Sequence, residues 1–179
     1  MRRLLVSVAA CGACGAPQAP GPRPASCDVP AVLSGQDDVA AHAACERLPA
    51  LAIRSAERLD VTPLRLIAIA GDFTVGPSVG LDEVTLPALT TVAGTLRVAA
   101  NSNLHGVYLP RLERAGAIDI DGNATLATIS LPHLAEVAGA LSVTANPSLE
   151  LLDLSGLARA GSETIARNNE QAVIERRPE

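Results

Sequence analysis

The chain contains no lysine and no tryptophan, and its only aromatic residues are Phe73 and Tyr108. Carbohydrate platforms and base-stacking surfaces usually need more flat aromatic area than two rings supply. All 14 basic residues are arginine, and the formal net charge is −5. Nucleic-acid affinity comes from Lys and Arg neutralising phosphates, so no nucleic-acid partner is expected. In so Ala-rich a chain, the missing Lys fits a GC-rich coding sequence more simply than a binding role. The three histidines, His42, His105 and His133, are isolated. They fall at unrelated places in the pattern below, so no metal site and no cofactor is expected.

What is present is a repeat. Leu59, Leu81, Leu104, Leu126 and Leu149 open successive units 22, 23, 22 and 23 residues apart. The fullest unit, Leu81–Asn101, reads Leu-x-x-Val-x-Leu-Pro-x-Leu-x-x-Val-x-Gly-x-Leu-x-Val-x-x-Asn. A period of this length marks a solenoid, in which each unit buries an apolar edge on the next. Two apolar-x-apolar pairs recur within each unit. One set is Phe73/Val75, Leu96/Val98, Ile118/Ile120 and Leu141/Val143, with Leu51/Ile53 one turn upstream. The other is Val84/Leu86, Val107/Leu109, Ile129/Leu131 and Leu152/Leu154. Alternation with period two predicts short strands with one face in and one face out. The step is too short for strand-helix-strand units. It suits flattened coils stacked roughly 4.8 Å apart, with equivalent strands in parallel sheets.

Gly71, Gly94, Gly116 and Gly139 precede the first strand of each coil, where a tight bend is expected. Pro87, Pro110 and Pro132 follow the second strand and end its pairing. Asn101, Asn123 and Asn146 recur three residues after the first strand, with Ser78 in that place one coil earlier. An inward Asn at a corner satisfies backbone groups and stacks on the next, so these three are read as a structural ladder.

Leu33-Ser34-Gly35-Gln36-Asp37-Asp38-Val39, a helical run to Cys45, and then Leu51-x-Ile53 resemble the opening of a receptor L domain. The repeats resemble its body. The family includes the ligand-binding lobes of insulin-type and epidermal-growth-factor-type receptors and fungal cell-wall proteins. The resemblance covers about Cys27 to Asn169. It implies a mainly β fold: a right-handed β-solenoid of about five to six coils with a short N-terminal helical cap. No second lobe or cysteine-rich module accompanies it, so receptor signalling does not carry over. A general leucine-rich repeat is the nearest competing reading.

The ends divide the chain further. Met1-Arg2-Arg3 followed by Leu4–Ala10 has the order of a secretory signal peptide, here residues 1–10, too short to span a bilayer. Its loss would take the charge from −5 to −7. Val8-Ala9-Ala10-Cys11 resembles the bacterial lipobox, with Cys11 as the acylated residue and a membrane as partner; cleavage of an ordinary signal peptide and use of Cys14 are the alternatives. Gly12 resembles outer-membrane sorting, which points to an exported envelope lipoprotein. Residues 11–26, rich in Gly, Ala and Pro, read as a tether. Residues 27–170 read as the solenoid and residues 171–179 as a polar tail. If Cys11 carries lipid, Cys27 and Cys45 are the natural disulfide pair across the cap and Cys14 is left over; the alternative is free thiols. Asp37–Arg47 has helical composition, with Ser34 or Asp37 as N-cap. After Leu157 two registers compete, one turning Ile165 into the strand's apolar row, the other Thr164 and Ala166.

Chemistry-bearing constellations are scarce. Asp119-Ile120-Asp121-Gly122-Asn123 faintly resembles a calcium loop but lacks its downstream Glu. The sequon Asn123-Ala124-Thr125 coincides with the ladder. Outward positions are expected to be Thr74, Arg97, Asp119 and Ser142 on one strand set, and Thr85, Tyr108, Ser130 and Asp153 on the other. Neither row holds a Ser/His/Asp set or paired carboxylates, so no catalytic residues are assigned and the chain is read as not an enzyme. The expected function is a surface-anchored, non-catalytic module offering a solenoid face to a protein or glycan. Arg97, Asp119, Ser142, Tyr108 and Ser130 are its candidate contacts. A structural envelope lipoprotein without a discrete ligand, and a polysaccharide-active β-helix enzyme, are the alternatives.

Overall fold

The computed structural model of the protein describes residues 25–178. The chain runs β1 (Ala31–Leu33), α1 (Gln36–His42), β2 (Arg47–Leu48), β3 (Leu51–Ile53), β4 (Ala68–Ile69), β5 (Phe73–Val75) and β6 (Glu83–Thr85). It continues through β7 (Thr91–Ala99), β8 (Gly106–Tyr108), β9 (Arg114–Asp121), β10 (Thr128–Ser130), β11 (Glu136–Thr144), β12 (Leu151–Leu154), β13 (Arg159–Ala166) and β14 (Val173–Arg176). One sheet takes the odd strands in the order β1-β3-β5-β7-β9-β11-β13, flanked by β2 and β4. The second takes β6-β8-β10-β12-β14. Every pairing is parallel. The fold is therefore a mainly β solenoid, and its seven stacked strands make about seven turns rather than five or six. The additional turn comes from β1, whose Ala31 and Leu33 pair with Leu51 and Ile53.

The aliphatic rows are stacked as the period requires. Phe73, Leu96, Ile118 and Leu141 lie in register, as do Val75, Val98, Ile120 and Val143. None of the eight is more than 1% exposed. Val84, Val107, Ile129 and Leu152 form the matching buried row of the second sheet. After β6, β8 and β10 the chain turns on Pro87, Pro110 and Pro132, where Leu89, Leu112 and Leu134 donate N–H groups to the carbonyls of Leu86, Leu109 and Leu131. Pro at the second position of such a turn presets φ.

The alternation between 22 and 23 residues has a location. Val92 pairs with Ala115, but Thr95 pairs with Ala117; the next turn reverses the change, from Ala115/Val137 to Ile118/Leu141. Each step is adjusted at a bulge beside Gly94, Gly116 or Gly139. These glycines lie within the long strands instead of ahead of them. At Gly116 the demand is close approach of the coils: a Cβ there would overlap the Ala93 carbonyl oxygen.

Both ends are closed differently from the middle. At the N-terminal end Cys27 and Cys45 are disulfide-bonded, with Cα atoms 5.6 Å apart. Helix α1 lays Val39 on the core beside them. Its N-cap is Gly35, not Ser34 or Asp37, and it ends at His42. The reason is Asp38, whose carboxylate accepts the N–H groups of Ser34 (2.8 Å) and Gly35 (3.2 Å). A carboxylate at the third helical position is well placed for this.

At the C-terminal end Ile165 takes the apolar row, opposite Val143, so this is the register the chain adopts. Residues 171–179 are not a tail throughout: β14 pairs with β12, and the solenoid extends to Arg176. Ile174 aligns with Leu152, which gives the segment its place in the stack. The final turn puts Glu163 in register with Leu141 and Arg176 in register with Leu154. Arg176 Nη1 donates to Glu163 Oε2 at 2.9 Å. Two aliphatic positions have become an ion pair at the end of the stack, where a solenoid needs a polar terminus.

Ile120 is fully buried between coils, and Ile120→Asp would place an unpaired charge there. The expected outcome is loss of the cooperative thermal transition seen by circular dichroism; wild-type melting would refute the inward assignment. The last coil should also be acid-sensitive. The hydrogen bond from Arg176 holds the Glu163 carboxyl below the ordinary glutamate range. A depressed carboxylate stabilises the fold fully above its unfolded value, about 4.3, and stops doing so as pH falls through the lower folded value. The hydrogen-exchange protection of β13 and β14, taken relative to the intrinsic rate at each pH, should therefore fall from neutral to strongly acid pH, and the fall should be smaller in Glu163→Gln.

Candidate functional site

Three surfaces follow from the coil geometry: the corner ladder and the outer rows of the two sheets. The ladder is internal. Asn101, Asn123 and Asn146 are at most 1% exposed. Each side-chain amide donates to the Oδ1 of the next: Asn101 to Asn123 (2.9 Å), Asn123 to Asn146 (3.1 Å) and Asn146 to Asn168 (3.1 Å). The backbone N–H of each rung reaches the same oxygen, at 3.2, 3.2 and 3.0 Å. The second amide hydrogen serves the coil before, at the carbonyls of Val75, Val98, Ile120 and Val143. Asn168 is thus a fourth rung. It lies 22 residues after Asn146 and was legible in the repeat.

The residue before each rung has positive φ: Ala100 (56°), Gly122 (66°), Ala145 (53°) and Arg167 (57°). The ladder holds three side-chain-bearing residues in a conformation L-residues avoid. Its first rung is incomplete. Ser78 donates to the Ser55 carbonyl instead, and the buried Asn101 Oδ1 has no hydrogen-bond partner among the described residues.

The outer row of the first sheet places Thr74, Arg97, Asp119 and Ser142 side by side in register. Arg97 Nη1 and Asp119 Oδ2 are 2.9 Å apart, with side chains 55% and 32% exposed. Such a pair contributes roughly 0–1 kcal/mol and is free to exchange partners. Thr144 completes the neighbouring row by donating to Asp121 at 2.6 Å. Asp119 and Asp121 therefore belong to a strand face, and Asn123 points inward, which accounts for the calcium-loop likeness. Burial of Asn123 also closes its sequon to modification.

Thr85, Tyr108, Ser130 and Asp153 are in register on the second sheet. The two sheets turn their outer rows away from a shared core. Arg97, Asp119 and Ser142 are thus one candidate surface, and Tyr108 and Ser130 are another. Tyr108 lies flat across the sheet because Gly106 leaves room; a Cβ there would overlap the ring.

The histidines remain apart. His42 Nδ1 contacts the Asp38 carbonyl, His105 Nδ1 contacts Asp82 and His133 Nδ1 contacts the Pro110 carbonyl. Among the described residues no group of three or more His, Cys, Asp or Glu is placed to hold a metal ion. Cys11, Cys14, the signal-peptide residues and most of the tether lie outside the described residues.

Removing a middle rung should be costly, because several buried groups lose partners together. Asn123→Ala is expected to lower unfolding free energy by at least about 2 kcal/mol in urea titration, with an unchanged slope. A loss near zero would mean that the ladder follows the fold instead of supporting it.

The chain matches no protein-family model, no curated protein and no solved structure in the comparisons made.

Proposed function

We propose that the protein is a surface-anchored, non-catalytic interaction module of the receptor L-domain type, held to a bacterial envelope through lipid on Cys11. It presents a solenoid face to a protein or glycan partner. The observation that carries this reading is the regular outer row of the first sheet, where Thr74, Arg97, Asp119 and Ser142 stand at strand spacing on a backbone fixed by the coils on either side. A surface held this way loses little freedom on binding, which favours recognition. The lipobox-like Val8-Ala9-Ala10-Cys11 and the Gly/Ala/Pro-rich stretch after it support export, anchorage and a spacer from the membrane.

The test is a pull-down from envelope extracts with wild type, Arg97→Glu and Tyr108→Ala. Partners retained by wild type and lost with either variant support the module and identify its face. Absence of any enriched partner favours a purely structural envelope role. In parallel, Cys11→Ser should move the protein from the membrane to the soluble fraction. Unchanged partitioning would remove the anchor from the reading.

A further inference from the structure

The second sheet starts later than the first. Among the described residues its edge strand β6 has no partner on the N-terminal side, although a full coil precedes it. That coil reads Leu59-Asp60-Val61-Thr62-Pro63-Leu64 and turns where later coils pair. Asp60 Oδ1 accepts from Thr62 N–H (2.9 Å) and Thr62 Oγ1 (2.6 Å), and Leu64 N–H closes onto the Val61 carbonyl (3.1 Å). Pro63 has no N–H to give a ladder.

Leu59, Val61, Leu64 and Leu66 stay buried, so the coil keeps its core while its backbone leaves the sheet. Backbone bonds to the following coil stop at Gly80 N–H to Ser55 (3.3 Å) and resume at Thr90 N–H to Ile67 (2.8 Å). Between them opens a slot of about 400 Å3, lined by Gln36, Arg58, Asp60, Asp82, Glu83 and Thr85.

The slot has the chemistry of a missing strand. Leu86 N–H donates to the Tyr108 carbonyl, so the even-numbered residues of β6 face β8. Glu83 and Thr85 therefore turn their N–H and C=O groups into the slot. Its rim is negative. Asp82 is engaged by Arg58 and His105, each at 2.8 Å, which leaves the carboxylates of Asp60 and Glu83.

We propose that this slot accepts an extended, basic polypeptide segment of a partner protein, added as a strand to the free edge of β6. Main-chain pairing with Glu83 and Thr85 supplies the binding, and Arg or Lys side chains on the outer face meet Glu83 and Asp60. Alternate side chains turn inward against the buried row of the preceding coil, so an alternating basic/apolar sequence fits. The proposal rests on the interaction-module reading but places the contact at the sheet edge, away from Arg97.

The probe is a dye-labelled peptide of alternating Arg and Val, titrated with the full chain and read by fluorescence anisotropy. Thr85→Pro removes a slot-facing N–H while leaving the Leu86 N–H that bonds β8. Glu83→Arg reverses the rim charge and serves if the proline variant fails to fold. Each should weaken binding at least about tenfold, the worth of roughly one good hydrogen bond or charge contact. Glu175→Arg, a charge reversal at the opposite end of the same sheet, should leave affinity unchanged, and the same peptide N-methylated at alternate amides should not bind.

No binding by wild type, undiminished binding by Thr85→Pro and Glu83→Arg, or equal binding of the N-methylated peptide would overturn the proposal. So would concentration-dependent self-association abolished by Thr85→Pro, which would assign the slot to a second copy. If envelope partners still depend on Arg97 or Tyr108 when the slot fails, the module reading survives alone.

Discussion

Coil-over-coil register is the constraint from which the rest follows. The core consists of rows such as Phe73-Leu96-Ile118-Leu141, and a row is dry only if each member sits above the one before. A slip of one residue would turn a whole strand's aliphatics outward and its Thr, Asp and Ser inward. A slip of two residues keeps the same face inward, and burial discriminates it only weakly where the inward residues are mostly Leu, Ile or Val. The corner asparagines discriminate it strongly, because amide-to-amide bonds are directional and each rung has a fixed partner in the next coil. Burial supplies the bulk of the stabilisation, and the ladder specifies which stacking is reached.

The same logic makes the two ends separate problems. Interior coils are covered on both sides, whereas terminal coils have an uncovered edge. The N-terminal end is sealed by a helix and a covalent bond between Cys27 and Cys45. The C-terminal end is made polar through Glu163 and Arg176, which stand in rows that are apolar everywhere else. One end excludes water and the other tolerates it.

Much of the coil was legible because its cause is periodic. The aliphatic pairs, the Pro turns and the first three asparagines each recur, and recurrence reports a shared environment. What was not legible depends on single events. The coil at Leu59 has the right aliphatics, but Asp60 and Pro63 divert its backbone, and only the hydrogen bonds reveal that the strand is missing. Glu163 and Arg176 look polar in isolation; their meaning comes from the rows they interrupt. The glycines were assigned to bends because of their position before the apolar pairs. Their actual demand is clearance from a carbonyl one coil away, which no local pattern encodes. Candidate contacts on the two sheets could be assigned to strands but not weighed against each other, since solvent-facing residues have no shared physical requirement.

The bulges beside Gly94, Gly116 and Gly139 bear on how such a chain tolerates change in length. Every other part of the circuit is pinned by a ladder, a turn or an aliphatic row, so an added or deleted residue there would propagate into the next coil. At the bulge the count already differs by one between successive turns, and the stack absorbs it. This corner acts as an expansion joint: its geometry accommodates one residue more or less, where the rest of the circuit accommodates only a whole turn.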